Sequence, residues 1–593
     1  MRQEGIARTA ATRGSGQAAL RADQVVTRRR WVAAFGVGIT AVVACGAALT
    51  SCSSAPKGAA LVINDFASAV SKQNFERAAS LTTAPGQAKD ALLVTKEGMH
   101  PSGIQTKVLR TMSYSDGTAG FTLKTTYIWD TVAEGGDRID GKAPDRKFVT
   151  ETQGTARNVS TGWKVQWEPS IIYPGLRPGG RILDVRTDAR PTPRVLARNG
   201  KPFMVIAPVR EVVIDPAATP DLGRTVSALA GVIAPMAPQI TSEVILEKIA
   251  QQPGQPVVAV TLREPDMQVL AGDPGKIRGV TVRRTDRLVM TDRRLDSPLE
   301  EGLTNYWQAI RDVTAGWQIV LDQPGAQRQR LDGHQGPPGP NVATTLDPRV
   351  QNAVGIAAIE VAQPTTVLAL DATTGGILGM GRNKAATERG ISIDGEYATG
   401  STLSAVFESV IAQAKAQNTS TDELLDRLGL GVAFTIPGAS SPQRNGIGVD
   451  KADSGAKADQ RPGEVRASMV NVGALGVALA RAVAGERTSV APYIVKGQQT
   501  RVDEGQLGAF DGELARPVLD AMVATVRTGD ASDLRNAKGL RALVGTNGPN
   551  GPGWFLGIID KKVVVVYCEG EHSGTAALQA AQKYLSVRND RLE

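Results

Sequence analysis

Ser401 has the setting best suited to covalent chemistry. It follows Gly400 at the end of a loop, and an apolar pattern begins at once. Leu403, Val406, Phe407, Val410, Ile411 and Ala414 fall at the spacing of one α-helical face. The pattern over Tyr397–Ala414 puts Ser401 at or just before a helix N-terminus, where backbone N–H groups lack partners. Two readings fit this position. The hydroxyl can cap the helix, or it can act as a nucleophile, provided that a neighbouring group takes its proton. Other chemistry is sparse. The three His are scattered and no Cys/His cluster occurs, so neither a metal nor another cofactor is expected.

The elements that must carry this serine can be followed from the start of the chain. A length of 593 residues suggests about three or four domains. The formal charge of +8 is concentrated at the front: residues 1–30 hold seven Arg against Glu4 and Asp23. Without them 60 basic residues face 57 acidic ones, and no basic run with interleaved aromatics remains. Nucleic-acid binding is therefore not expected.

Arg28–Arg30 precede an apolar run over 31–49, and Leu49-Thr50-Ser51-Cys52 follows. A basic flank, an apolar run and small residues make an export signal. The tetrapeptide resembles a bacterial lipobox, which implies lipidation at Cys52 and removal of the preceding residues. A single-span anchor over 31–49 is the alternative, because the run nearly spans a bilayer. Either way the chain is expected on the outer face of the bacterial cell membrane, held by its N-terminus. Cys45 lies in the apolar run and Cys52 at the cleavage site, leaving only Cys568, so no intramolecular disulfide is expected after cleavage.

After a short polar tether, Leu61–Phe75 suits an amphipathic helix. Strand-like segments follow at Gly120–Trp129, Lys147–Ala156 and Gly162–Glu168. A helix followed by a curved sheet, closing on Trp163, Val165, Trp167, Pro169, Ser170 and Pro174, resembles the nuclear-transport-factor-like domain at the front of some penicillin-binding proteins. Its aromatics read as core packing. Ala197-Arg198-Asn199-Gly200-Lys201-Pro202 resembles the opening turn of the dimerisation domain of that family, with Ala197 where Asp is usual. Asn-Gly is itself a strong turn signal. Residues 326–340 are polar and rich in Gly and Pro, a linker by composition.

Beyond it come Leu346-Asp347-Pro348 opening a helix, a strand-turn-strand over Thr366–Met380, and Tyr397–Thr402 before the serine helix. This order resembles the transpeptidase domain of class B penicillin-binding proteins. The resemblance implies a multidomain α+β fold. The expected boundaries are a signal or anchor at 1–52, a front domain at 57–175, a dimerisation domain at 176–325, the linker at 326–340 and a transpeptidase-like domain at 341–593.

Members of that family acylate a serine in S-x-x-K, with S-x-N and K-T-G completing the site. A Lys three residues on lies one helical turn away on the same face and can take the serine proton. Here Ser401 keeps the nucleophile position and Ser404 replaces the Lys. A hydroxyl is no base near neutral pH. Ahead of the strand that starts at Trp554, K-T-G becomes Gly545-Thr546-Asn547, and the cation is gone. No S-x-N lies between Ser401 and that strand; Ser420-Thr421-Asp422 has a related form but comes too early. Ser54-x-x-Lys57 and Ser454-x-x-Lys457 match the first motif without opening an apolar-periodic helix. Arg527-Thr528-Gly529 and His572-Ser573-Gly574 imitate the third in the wrong places.

Loss of a nucleophile's activating partner alone costs about four to six powers of ten in rate. The expectation is a surface lipoprotein of peptidoglycan (cell-wall) biogenesis that acts as a non-catalytic binding or scaffold protein. Its partners would be peptidoglycan stem peptides and proteins of cell-wall synthesis or division. The alternative is an active D,D-transpeptidase using Ser401 with an unrecognised base. A third option is a sensor that binds peptidoglycan fragments without turnover.

Overall fold

A computed structural model describes residues 57–129, 146–238, 240–439, 465–548 and 550–588. The stretch 1–52, with Cys52 and the apolar run, lies outside them, as do Ser54, Ser454 and Lys457. Among the described residues no helix is long and apolar enough to cross a membrane.

The first helix, Lys57–Ser71, buries Val62, Ile63, Phe66, Ala67, Ala69 and Val70 on one side. Helices Phe75–Ser80 and Pro85–Met99 follow. Together they cover a four-stranded antiparallel sheet of Gly103–Ser113, Ala119–Trp129, Arg146–Val159 and Gly162–Val165, in that order. Alternation along Ala119–Trp129 turns Phe121, Leu123 and Tyr127 into the core. Trp167 is buried in the same core and Trp163 packs against it.

That core does not stop near residue 175. Ile182, Ile319 and Leu321 belong to it, from a three-stranded sheet of Arg181–Thr187, Gly316–Asp322 and Gln329–His334. Arg146 bolts the two sheets together. Its guanidinium lies 3.9 Å from the Trp317 ring centre and 4.5 Å from that of Trp129, and it pairs with Asp184 at 2.5 Å. The stretch 326–340 is therefore not open linker throughout, because Gln329–His334 pairs with Gly316–Asp322. This strand carries one apolar side chain, Leu331, which packs against the front core, so hydropathy gives little sign of it.

The middle of the chain forms a second sheet around the long strand Pro202–Ile214. Val280–Met290 pairs with one edge of it, while Val195–Leu196 and Val257–Arg263 also pair with it. Helices Leu222–Ile233 and Ser242–Gln251 close a core of Val212, Ile214, Val226, Leu229 and Ile245. The expected Asn-Gly turn forms: Gly200 sits at φ +79°, and the Ala197 N–H donates to the Lys201 carbonyl at 2.8 Å. Val342–Ala343 adds to this sheet in parallel beside Val195–Leu196, so the C-terminal unit begins within the middle one.

The C-terminal unit has a five-stranded antiparallel sheet in the order Ile377–Arg382, Thr365–Asp371, Lys562–Cys568, Gly553–Ile559, Arg541–Thr546. One face carries helices Pro348–Ala358 and Ser573–Val587. The other carries Met469–Val483, which is buried almost all round. It approaches closely at glycines: a Cβ on Gly473 would lie 2.8 Å from Leu370, and one on Gly476 would lie 2.5 Å from Val563. Among the described residues the strand Arg541–Thr546 is an edge, paired with Gly553–Ile559.

Candidate functional site

Ser401 sits in a 3-10 turn, Gly400–Leu403, one turn ahead of the helix Ser404–Gln417. It does not cap that helix; the cap position is Leu403, with no side-chain cap bond. The hydroxyl is engaged elsewhere. It donates to the Thr546 carbonyl at 3.3 Å and accepts from the Thr546 N–H at 3.3 Å. Both partners belong to the edge strand, and Ser401 itself is exposed.

The apolar pattern after the serine positions the helix largely as its spacing requires. Leu403, Val406, Phe407, Val410 and Ala414 are buried. Ile411 departs from the expected face and is 42% exposed. Eight residues on from Leu403 it has rotated to the margin of the stripe.

The turn is fixed from behind. Thr399 is buried; its N–H and hydroxyl both donate to the Val465 carbonyl, at 2.8 and 3.0 Å. The two-residue strand Tyr397–Ala398 pairs with Arg466–Ala467. The Trp554 indole N–H donates to the Ala398 carbonyl at 2.9 Å. Rings of Tyr397, Trp554 and Tyr567 pack together beneath it, with Tyr397 and Tyr567 centres 4.2 Å apart. Burial raises the pKa of the Tyr567 phenol, and Glu569, which accepts its proton at 2.7 Å, raises it further. It stays neutral and serves packing.

The front of the turn meets the strand at two glycines. Gly400 holds φ +55°, and a Cβ there would lie 2.3 Å from the Thr546 carbonyl oxygen. A Cβ on Gly545 would lie 2.4 Å from the Thr402 nitrogen and 2.7 Å from the Ser401 Oγ. No side chain fits at either position without moving the turn.

Ser404 is the first residue of the helix, and its N–H donates to the Ser401 carbonyl. Among the described residues the hydrogen-bond partners of the Ser401 hydroxyl are the two backbone groups of Thr546, and no amine is among them. Thr546 turns its side chain to the opposite face, where Gly574 lies close enough that a Cβ would sit 2.3 Å from the Thr546 Cγ2. The Asn547 N–H donates to the Pro552 carbonyl at 3.0 Å. The structure thus brings Ser401, Ser404, Gly545 and Thr546 to one junction of turn and strand, with Asn547 at its outer end.

The look-alike motifs have structural work. Thr528 ends the helix Gly512–Arg527. Ser573 opens the helix Ser573–Val587 and donates to the Gly551 carbonyl at 2.5 Å. Ser420 caps the helix Thr421–Arg427, accepting from the Asp422 N–H. That helix begins soon after Asn418 closes the serine helix in a left-handed conformation, so no further element intervenes.

Sequence reasoning missed Ser468 and Asn471. Ser468 caps Met469–Val483, and the Asn471 amide donates to the carbonyls of Gly429 and Val432 at 2.8 and 2.7 Å. The Ser-x-x-Asn spacing ahead of an apolar run was the available signal. These residues hold the wall of a cavity of about 160 Å³, lined by Ile393, Leu430, Val432, Phe434 and Val470 among others; Ser401 does not line it. Cys568 is no alternative nucleophile. Burial pushes its thiol pKa up to about 12, and it lies 3.1 Å from the Thr365 hydroxyl.

No curated protein matches the chain. Residues 58–180 match the family model of the NTF2-like N-terminal transpeptidase domain, which is consistent with a class B penicillin-binding-protein-like protein.

Proposed function

We propose that this chain is a penicillin-binding-protein-like surface lipoprotein that serves peptidoglycan assembly by binding, without transpeptidation. The observation that supports it most is the setting of Ser401. Its hydroxyl is held by the backbone of Thr546, and one turn on stands Ser404, which cannot accept its proton near neutral pH. A serine without a base is a very weak nucleophile. The cell wall enters through the match over residues 58–180 and through the resemblance of the later segments. Lipidation at Cys52 would hold the chain at the outer face of the membrane. Stem peptides and proteins of cell-wall synthesis or division would be its partners there.

One observation favours the rival reading, a D,D-transpeptidase acting through Ser401. The serine is exposed, and a backbone N–H points at its oxygen from 3.3 Å, the kind of donor that stabilises an oxyanion. Replacement in the producing cell separates the two. A strain carrying Ser401→Ala in place of the native residue keeps wild-type growth and cross-linking on the scaffold reading, while deletion of the chain alters them. A Ser401→Ala strain that behaves like the deletion would establish the enzyme.

A further inference from the structure

We infer that the cavity beside the start of helix Met469–Val483 binds a free amino acid whose side chain is apolar and about the size of leucine. Ser401 does not line this cavity, so the reading of that serine does not bear on it.

The cavity holds about 160 Å³ and is drawn from the stretches 393–396, 430–439 and 466–471. Its depth is apolar. Ile393, Leu430, Val432, Ile436 and Val470 line it, and none is more than 6% exposed. An apolar cavity of about 150 Å³ is large enough to hold benzene. A space of this size therefore takes one leucine-sized side chain and little more. Ser468 and Asn471 also line it, but their polar atoms are engaged. The Ser468 hydroxyl donates to the Asn471 side-chain carbonyl, and the Asn471 amide donates to the carbonyls of Gly429 and Val432 at 2.8 and 2.7 Å. They hold the wall in place.

The rest of the lining is charged. Asp394, Glu396 and Arg466 line the same cavity and are exposed, so they stand towards its opening. Among the described residues none of the three has an ion-pair partner; the Arg466 guanidinium donates to the Glu396 backbone carbonyl at 2.6 Å instead. A guanidinium held through one N–H keeps others for the two oxygens of a carboxylate. Two carboxylates beside it suit an ammonium. A ligand with only one of these charges would leave the opposite sign at the rim unanswered. Apolar depth and a rim of both signs together match a zwitterion that carries one apolar side chain.

The test is calorimetric titration of the full chain with L-leucine and D-leucine. Isoamylamine and isocaproate, which are leucine without its carboxylate and leucine without its ammonium, are titrated beside them. At least one enantiomer should bind with Kd below about 1 mM. The alanine of the same hand should bind about tenfold more weakly or worse, because it leaves the depth unfilled. Each truncated analogue should also lose about tenfold or more, one charged hydrogen-bonding partner being absent. Arg466→Gln should erase the advantage of leucine over isoamylamine. The pair Asp394→Asn and Glu396→Gln should erase its advantage over isocaproate. All three positions are exposed, so these variants should melt like wild type. Absence of saturable binding by both enantiomers overturns the inference. So does an analogue that binds wild type as tightly as leucine, or a charge variant that folds and keeps the full preference. If a variant does not fold, the analogues on wild type decide.

Discussion

The Ser401 hydroxyl is hydrogen-bonded to both backbone groups of one residue, donating to the Thr546 carbonyl and accepting from the Thr546 N–H, each at 3.3 Å. Both bonds are long, and the serine is exposed. Ser401→Ala should therefore cost under about 1 kcal/mol. Chemical denaturation of the two proteins measures it. A loss of several kcal/mol would mean that the contact carries more of the fold than its geometry allows.

Gly400 is a sharper point. Its φ of +55° and the 2.3 Å approach of its virtual Cβ to the Thr546 oxygen both exclude a side chain. Gly400→Ala should destabilise by about 2 kcal/mol or more, about 1 from the left-handed backbone and the rest from the clash. A stability equal to wild type would show that turn and strand are not packed as described.

Arg146 should be the costliest single residue of the front joint. It is sandwiched by Trp129 and Trp317 and paired with Asp184, with side-chain exposures of 15% and 19% for the pair. Arg146→Ala leaves Asp184 largely buried and alone. The expected loss is about 2–4 kcal/mol, read from urea midpoints. Arg146→Lys should recover only part of it, since an ammonium lacks the flat face that stacks between two rings.

The same joint shows what the sequence could and could not disclose. The first helix and the strands Ala119–Trp129, Arg146–Val159 and Gly162–Val165 were legible because one face of each is apolar at the proper period, whereas the helix Pro85–Met99 and the strand Gly103–Ser113 were not read. The turn at Gly200 was legible from local chemistry and forms with positive φ. The strand Gln329–His334 was not, because it carries a single apolar side chain, Leu331, too few to set a period. Nor was the sharing of the front core with Ile182, Ile319 and Leu321, which depends on pairing across more than a hundred residues. At the site, the serine and its helix were plain, but the hydroxyl's partner was not. Nothing local in Ser401 indicates that Thr546 competes for it.

That shared core has a consequence for truncation. A fragment ending at residue 180 loses Ile182, Ile319 and Leu321, each nearly or fully buried. At about 1.5–3 kcal/mol per aliphatic side chain the loss is about 4–9 kcal/mol, comparable to the stability of a small domain. Residues 57–180 expressed alone should show low cooperativity on heating, while the chain that retains the Arg181–Thr187 and Gly316–Asp322 strands should melt sharply. A sharp transition in the short fragment would contradict this.

Glu300 gives the fold a pH dependence of known sign. Burial raises its pKa above the ordinary 4.5, and the nearby Asp296 charge raises it further. The folded chain thus holds this proton more tightly than the unfolded one. The associated stability is full below the ordinary value and is lost as pH rises through the folded pKa. Glu300→Gln should be spared that loss, so its urea midpoint relative to wild type should improve as pH rises above 4.5. A difference that is flat or reversed with pH would contradict the assignment.

The central claim is that Ser401 has, among the described residues, no base to take its proton. Incubation of the intact chain with a fluorescent β-lactam, followed by denaturing electrophoresis and peptide mass spectrometry, tests it most directly. The account predicts no covalent adduct on the peptide containing Ser401 under conditions that label an active transpeptidase completely. A ring-opened drug attached to that serine at a comparable rate, and absent from Ser401→Ala, would contradict it.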